Sequence, residues 1–208
     1  MKGILITFEG GEGCGKTTHS KALKEHLERK GRKVVLTREP GGTALGEKIR
    51  EILLSKGGSI APLAELMLFA SDRIEHVEKV ILPALKMGDI VICDRYIDST
   101  TAYQIGGRGL PGGVVVYLNL LSSRGLLPDL TYILDVSPKV GIGRAGKKGK
   151  DRFELEDLRF HDKVRKAYLD VAKKFPNRVR VVDSEKPLAL VSSEIIKIAD
   201  KFIKRGQL

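Results

Sequence analysis

Gly10-Gly11-Glu12-Gly13-Cys14-Gly15-Lys16-Thr17 decides the fold, because it fits G-x-x-x-x-G-K-[ST] at every fixed position. Ile4-Leu5-Ile6-Thr7-Phe8 precedes it as an apolar β-forming run, and a helical pattern begins at Lys16. The strand-loop-helix context that the motif needs is therefore present. Glycines let successive backbone N–H groups turn inward as an anion nest, and the helix N-terminus adds partial positive charge. Lys16 suits the β and γ phosphates of a nucleotide, and the Thr17 hydroxyl suits Mg²⁺. The nucleotide-binding set is Gly10, Gly11, Glu12, Gly13, Cys14, Gly15, Lys16, Thr17 and Thr18, with ATP and Mg²⁺ as the implied cofactors.

Working outward, four more apolar runs recur at 34–37, 90–93, 130–134 and 179–182. The first four runs of the chain read as strands buried on both faces, as in a parallel sheet. Helical patterns fill Lys16 to Arg29, Leu45 to Leu54, Pro62 to Lys86, Glu156 to Lys174 and Pro187 to Lys204. This alternation predicts a three-layer α/β fold, a five-stranded parallel sheet with helices on both faces. No Pro/Ser/Gly linker divides the 208 residues, so one domain over 1–208 is expected.

Composition narrows the class. Hydrophobic residues at 42% and charged residues at 30% describe a globular chain rather than a disordered one. No apolar run reaches membrane-spanning length, and the N-terminus does not read as a signal peptide. Cys14 and Cys93 suggest neither a disulfide framework nor a metal motif. A cytoplasmic enzyme with no membrane partner is expected. The net charge of +11 admits a nucleic-acid partner, but Trp is absent and aromatics are few, so none is expected.

Ligands of open α/β sheets sit beyond the carboxyl ends of the strands. The second run leads into Arg38 and the third into Asp94-Arg95-Tyr96. Two arginines beside a phosphate loop form a clamp for a second anion. Asp94, at a strand end, can face Mg²⁺ or its waters. Phe69 and Arg73 share a helix face, as do Thr100, Tyr103 and Gln104; a core Phe with a snorkelling Arg and an ordinary polar helix face have the same spacing. The stretch Asp183 to Pro187 follows the last strand and is a candidate adenine loop.

Beyond the motif, the chain resembles the thymidylate kinase family. The matching pieces are FEGGEGCGKTT (8–18), TREPGGT (37–43), LFASDR (68–73), DRYIDSTTAYQ (94–104), LPDLTYILDV (127–136) and DRFE (151–154), in the family's order. The resemblance implies ATP-dependent phosphorylation of dTMP to dTDP, for dTTP synthesis, by a homodimer. It implies Phe69 on the thymine ring, Arg73 with Thr100 or Gln104 at its edge, and Arg38 and Arg95 on the acceptor phosphate. Ser99 joins the acceptor site, Tyr103 faces the sugar, and Glu12 accepts from the 3′-hydroxyl. Glu9 and Asp94 join Thr17 in the magnesium shell.

Family members without an arginine inside the phosphate loop take it from a lid, and here that loop position is Gly13. Residues 139–152 carry Arg144, Lys147, Lys148, Lys150 and Arg152 among glycines at 141, 143, 146 and 149. This basic, glycine-rich run is expected to be a short mobile lid, with Arg144 and Arg152 as its catalytic candidates beside Lys16, Glu12 and Arg95. The rivals are a kinase for dUMP, dGMP or AMP, a nucleic-acid-dependent ATPase, and a silent nucleotide-binding module.

Overall fold

The computed structural model describes residues 3–56, 58–146 and 151–205. Lys147, Lys148, Gly149 and Lys150 of the expected lid lie outside the described residues. Five strands, β1 (Ile4–Glu9), β2 (Val34–Arg38), β3 (Ile90–Asp94), β4 (Leu130–Asp135) and β5 (Val179–Asp183), pair in parallel in the order β2-β3-β1-β4-β5. The helices are α1 (Lys16–Arg29), α2 (Ala44–Leu54), α3 (Pro62–His76), α4 (Leu82–Lys86), α5 (Ile97–Thr100), α6 (Gly112–Ser122), α7 (Pro138–Ala145), α8 (Leu158–Lys174) and α9 (Leu188–Arg205).

Period-two alternation builds both faces of the sheet. Ile6, Phe8, Ile92 and Leu134 pack with Leu23 and Leu27 of α1 and Val191 and Ile195 of α9. On the other face, Leu5, Val91 and Cys93 meet Val77 and Ile81, while Ile133 meets Val164 and Tyr168 of α8. β1 lies at the centre, so the loops after β1 and β3 open side by side, where ligands of such sheets bind.

The structure corrects several expectations. β2 is half-buried, not enclosed on both faces, because it is an edge strand. The helix expected over Pro62 to Lys86 is interrupted by a π-helical turn at Val77–Ile81. Pro83 lacks the N–H that would continue the regular ladder, and the Leu82 N–H instead donates to the carbonyl of Val77, five residues back. α8 starts at Leu158, since the Asp157 side chain caps it by accepting from Phe160 N at 2.7 Å. α6 was not foreseen at all. Its Gly-Gly-Val-Val-Val opening favours other structure, but Val115, Asn119 and Ser122 bury one helical stripe.

The first half of the expected lid is also helical. α7 rests on the phosphate loop, and Gly141 lies where an added Cβ would come within 2.3 Å of the Glu12 carbonyl oxygen. In return, a Cβ on Gly13 would come within 2.0 Å of the Gly141 carbonyl oxygen, and Gly13 has φ 64°. Close backbone approach, not looseness, is what this pair of glycines provides.

Candidate active site

The phosphate loop closes on its own cation. Lys16 Nζ donates to Gly11 O at 2.8 Å and Gly10 O at 3.3 Å. These carbonyls are weak partners that a phosphate can displace. Thr17 Oγ1 donates to Asp94 Oδ2 at 2.8 Å across the β1–β3 gap. Both groups line the open cavities beside the loop, and hard oxygen donors of this kind fit Mg²⁺. Gly13, Gly15, Lys16, Thr17, Thr18, Arg38, Asp94, Arg95 and Arg144 border one common cavity. Cys14 is buried beneath it, and its carbonyl accepts from Ser184 Oγ at 2.6 Å.

Arg95 links the phosphate loop to a second cavity. Its backbone has φ 72°, an uncommon left-handed conformation for a non-glycine residue, held by Arg95 N donating to Phe8 O and Cys93 Sγ donating to Arg95 O. The guanidinium is thereby turned inward. Nη1 donates to Gly10 O, Tyr168 Oη and Ser99 Oγ, and Nη2 donates to Glu12 Oε1 at 2.6 Å. Tyr103 Oη donates to the same Glu12 oxygen at 2.7 Å. Burial pushes the Glu12 carboxyl up, but the Arg95 guanidinium, with Lys16 and the Tyr103 hydroxyl, outweighs burial and holds it at about 2.

The second cavity holds about 600 Å³ of empty space including its mouth, and Phe69, Arg73, Arg95, Thr100, Tyr103 and Gln104 line it. It therefore gathers most of the residues assigned from sequence to the acceptor. Phe69 faces Phe153 with ring centroids 6.0 Å apart. Arg73 is buried, with Nε on Glu39, Nη1 on Asn119 and Nη2 on Thr100, each at 2.8–2.9 Å. This fixes its guanidinium rather than leaving it to snorkel. Gln104 Nε2 donates to the buried carboxylate of Glu65 at 2.8 Å. Arg38 stays half-exposed beside this region, paired with Glu47 at 3.0 Å.

Two assignments need correction. Glu9 does not face the Thr17–Asp94 pair. It is fully buried, with Oε1 accepting from Tyr96 N at 2.8 Å and Oε2 from Ser99 Oγ at 2.5 Å. Burial and the nearby Asp98 raise its carboxyl to about 8, against Ser99, Arg95 and Tyr96 N. Arg152 is not a free lid cation either. Its Nη1 pairs with Glu65 at 2.6 Å, its Nε donates to Leu53 O, and it stacks over Phe153 at 4.5 Å. α7, at 138–145, forms the first half of the expected lid. Arg144, its last-turn arginine, borders the phosphate cavity and donates to Ser184 O at 2.7 Å and Glu185 O at 3.4 Å. The Asp183 to Pro187 stretch thus docks against both α7 and the phosphate loop.

Sequence reasoning missed Glu39, Arg50, Glu65, Asn119, Phe153 and Tyr168. Glu39 follows Arg38 at a strand end, and Phe153 sits in the quoted DRFE stretch, so position held a signal for both. Glu65 and Asn119 are brought in by the packing of α3 and α6, which no local pattern announces.

A family model described as thymidylate kinase matches residues 8–195. A thymidylate kinase of Caldanaerobacter subterraneus subsp. tengcongensis is 45% identical over 208 residues, covering all of both chains. One of Citrifermentans bemidjiense is 50% identical over 190 residues, covering 87% of this chain and 84% of its own. The crystal structure of thymidylate kinase from Ehrlichia chaffeensis matches with a TM-score of 0.79 at 39% identity, covering 96% of this chain and 99% of that one.

Proposed function

The chain belongs to the thymidylate kinase family and carries out ATP-dependent phosphorylation of dTMP to dTDP; from that premise we propose how its residues divide the work. ATP phosphates occupy the nest of Gly10 to Thr18, and dTMP occupies the cavity of Phe69, Arg73, Ser99, Thr100, Tyr103 and Gln104. The observation that carries this reading is Arg95, which touches both the Gly10 carbonyl of the loop and the Glu12–Tyr103 wall of the second cavity.

The nucleophile is an oxygen of the dTMP phosphate, already largely anionic at neutral pH because its second pKa is about 6. No strong general base is needed. The chain must instead bring two polyanions together and hold them in line. Lys16 exchanges the Gly10 and Gly11 carbonyls for the ATP phosphates. Arg95 and Arg38 hold the acceptor phosphate, and Arg144 on α7 adds charge from above the loop. Thr17 and Asp94 would hold Mg²⁺, which supplies charge neutralisation at the β and γ phosphates. Phe69 covers the base, Arg73 donates to its carbonyl edge, and Tyr103 bears on the sugar face where ribose carries its 2′-hydroxyl. Glu12 positions Arg95 and Tyr103 and is placed to accept from the 3′-hydroxyl.

The homodimer and the cytoplasmic location belong to the same proposal. Leu63, Met67 and Ile74 on α3 and Val116, Tyr117, Leu120 and Leu121 on α6 are exposed apolar residues on two helices that pack together. No helix among the described residues is long and apolar enough to cross a membrane. The deciding experiment is a coupled ADP-release assay with Mg-ATP and dTMP, dUMP, dGMP, dCMP, AMP or no acceptor. Turnover strong with dTMP and weak with the rest is expected. Equal turnover across acceptors would refute the assignment of the base cavity.

A further inference from the structure

Gln104 offers two faces, an amide N–H₂ that donates and an Oε1 that accepts. Its N–H₂ donates to Glu65 Oε1 at 2.8 Å. Gln104 lines the second cavity, and its Oε1 is buried with no hydrogen-bond partner among the described residues. A buried unpartnered acceptor is costly, so a ligand that donates to it gains by its presence. Which face meets the ligand depends on what holds the other.

Glu65 holds it, and Glu65 is itself clamped. The carboxylate is fully buried, on α3. Arg108 Nε reaches Oε1 at 3.1 Å, Arg108 Nη2 reaches Oε2 at 3.2 Å, and Arg152 Nη1 reaches Oε2 at 2.6 Å. Arg108 is fixed in turn by Glu156 at 2.5 Å and by the Phe160 ring at 4.8 Å. A carboxylate between two guanidiniums accepts and cannot donate. Flipping the Gln104 amide would set its oxygen against the Glu65 oxygen and leave its N–H₂ facing the cavity. The buried ion cluster therefore determines the hydrogen-bond sign presented to the base.

We propose that Glu65, clamped by Arg108 and Arg152, is a positioning residue that locks Gln104 with Oε1 toward the acceptor base. Gln104 then selects a base bearing N3–H, as thymine and uracil do, and rejects cytosine, whose N3 only accepts. This deepens the Proposed function and rests on its placement of the base at Gln104. It gives Arg152 a role in specificity in place of the catalytic role expected from sequence.

Three measurements test it. In Glu65→Gln, the new amide accepts or donates, so the lock is released. The ratio of dCMP to dTMP dissociation constants, read by calorimetry without ATP, should fall on the order of 10-fold or more. Equal weakening of both nucleotides would overturn the lock and leave Glu65 a structural residue. Gln104→Ala separates the two layers: unchanged dTMP affinity would refute the base placement itself, whereas a loss on the order of 10-fold upholds it. Should Glu65→Gln fail to fold, the native chain decides. It has two glutamines, Gln104 and Gln207, so side-chain labelling with ¹³C and ¹⁵N gives two amide signals. On dTMP addition the Gln104 carbonyl carbon should shift while its amide protons stay protected from exchange. Amide protons that exchange at the solvent rate, or that shift more than the carbonyl, would overturn the proposal.

Discussion

Replacing Glu12 by Gln removes a charge and little else. Arg95 Nη2 and Tyr103 Oη both donate to one oxygen, Oε1, and an amide oxygen can receive both. What is lost is the field of the carboxylate on Arg95 and Lys16. The carboxyl falls from an ordinary 4.5 to about 2 on folding. At about 1.4 kcal/mol per pH unit this amounts to roughly 3 kcal/mol of stability at neutral pH. A depressed carboxylate contributes this stability above its unfolded pKa and loses it as pH falls through the folded value. At pH 3.5 roughly two fifths is already gone. The amide keeps both hydrogen bonds, so the expected loss in Glu12→Gln at pH 7 is about 2–3 kcal/mol, or roughly 4–12 °C in melting temperature for a domain of this size. The assay is thermal unfolding of both proteins from pH 7 to pH 3.5, read as the difference between them, which cancels every other carboxylate. The gap should narrow as the pH drops. A gap below about 1 °C at pH 7, or one constant across the range, would refute the reading that charge, rather than hydrogen bonding alone, holds Arg95.

Two other substitutions probe the loop from each side. Lys16→Ala should lower kcat on the order of 10²–10³-fold or more, with dTMP affinity and melting temperature close to the parent; near-normal turnover in the ADP-release assay would remove Lys16 from phosphate neutralisation. Gly141→Ala puts a methyl within 2.3 Å of the Glu12 carbonyl oxygen, so α7 must lift and carry Arg144 away from the cavity. A fall in kcat on the order of 10²-fold is expected, with dTMP binding by calorimetry little changed. A parent-like kcat would show that α7 need not sit on the loop during turnover.

How much could be read in advance follows from the range of the physics involved. The three central strands, β3, β1 and β4, emerged because strands buried on both faces of a parallel sheet are apolar almost without interruption, and the phosphate loop emerged because its chemistry lies within eight consecutive residues. Arg38, Asp94 and Arg95 were reachable because the strand-end rule turns position along the chain into position in space. Arg152 was misread for the opposite reason. Its neighbours in sequence are basic and glycine-rich, but its partner Glu65 is 87 positions away on α3. Glu9 was misread because its carboxylate bonds Ser99 and the Tyr96 N–H rather than the groups nearest the loop. α6 stayed hidden because its opening residues favour other structure and it is packing, against α3, α5 and residues 101–107, that makes it a helix.

The partners of the arginines separate those that move from those that do not. Arg73 pairs with buried Glu39, Arg152 with buried Glu65, and Arg178 with buried Asp98 at 2.6 Å. Removing either member of such a pair strands a charge out of water, so these arginines keep their partners when a ligand arrives. Lys16 and Arg144 bond backbone carbonyls, and Arg38 bonds an exposed glutamate. A phosphate dianion outcompetes a neutral carbonyl, and an exposed ion pair has little to lose, about 0–1 kcal/mol. Arg95 belongs to both groups. Nη1 rests on neutral partners, the Gly10 carbonyl and the Ser99 and Tyr168 hydroxyls, which a phosphate can replace, while Nη2 stays on Glu12. One half of that guanidinium is thus free to grip the acceptor while the other keeps it aimed, and the charge of Glu12 is what holds the fork still when two polyanions meet in front of it.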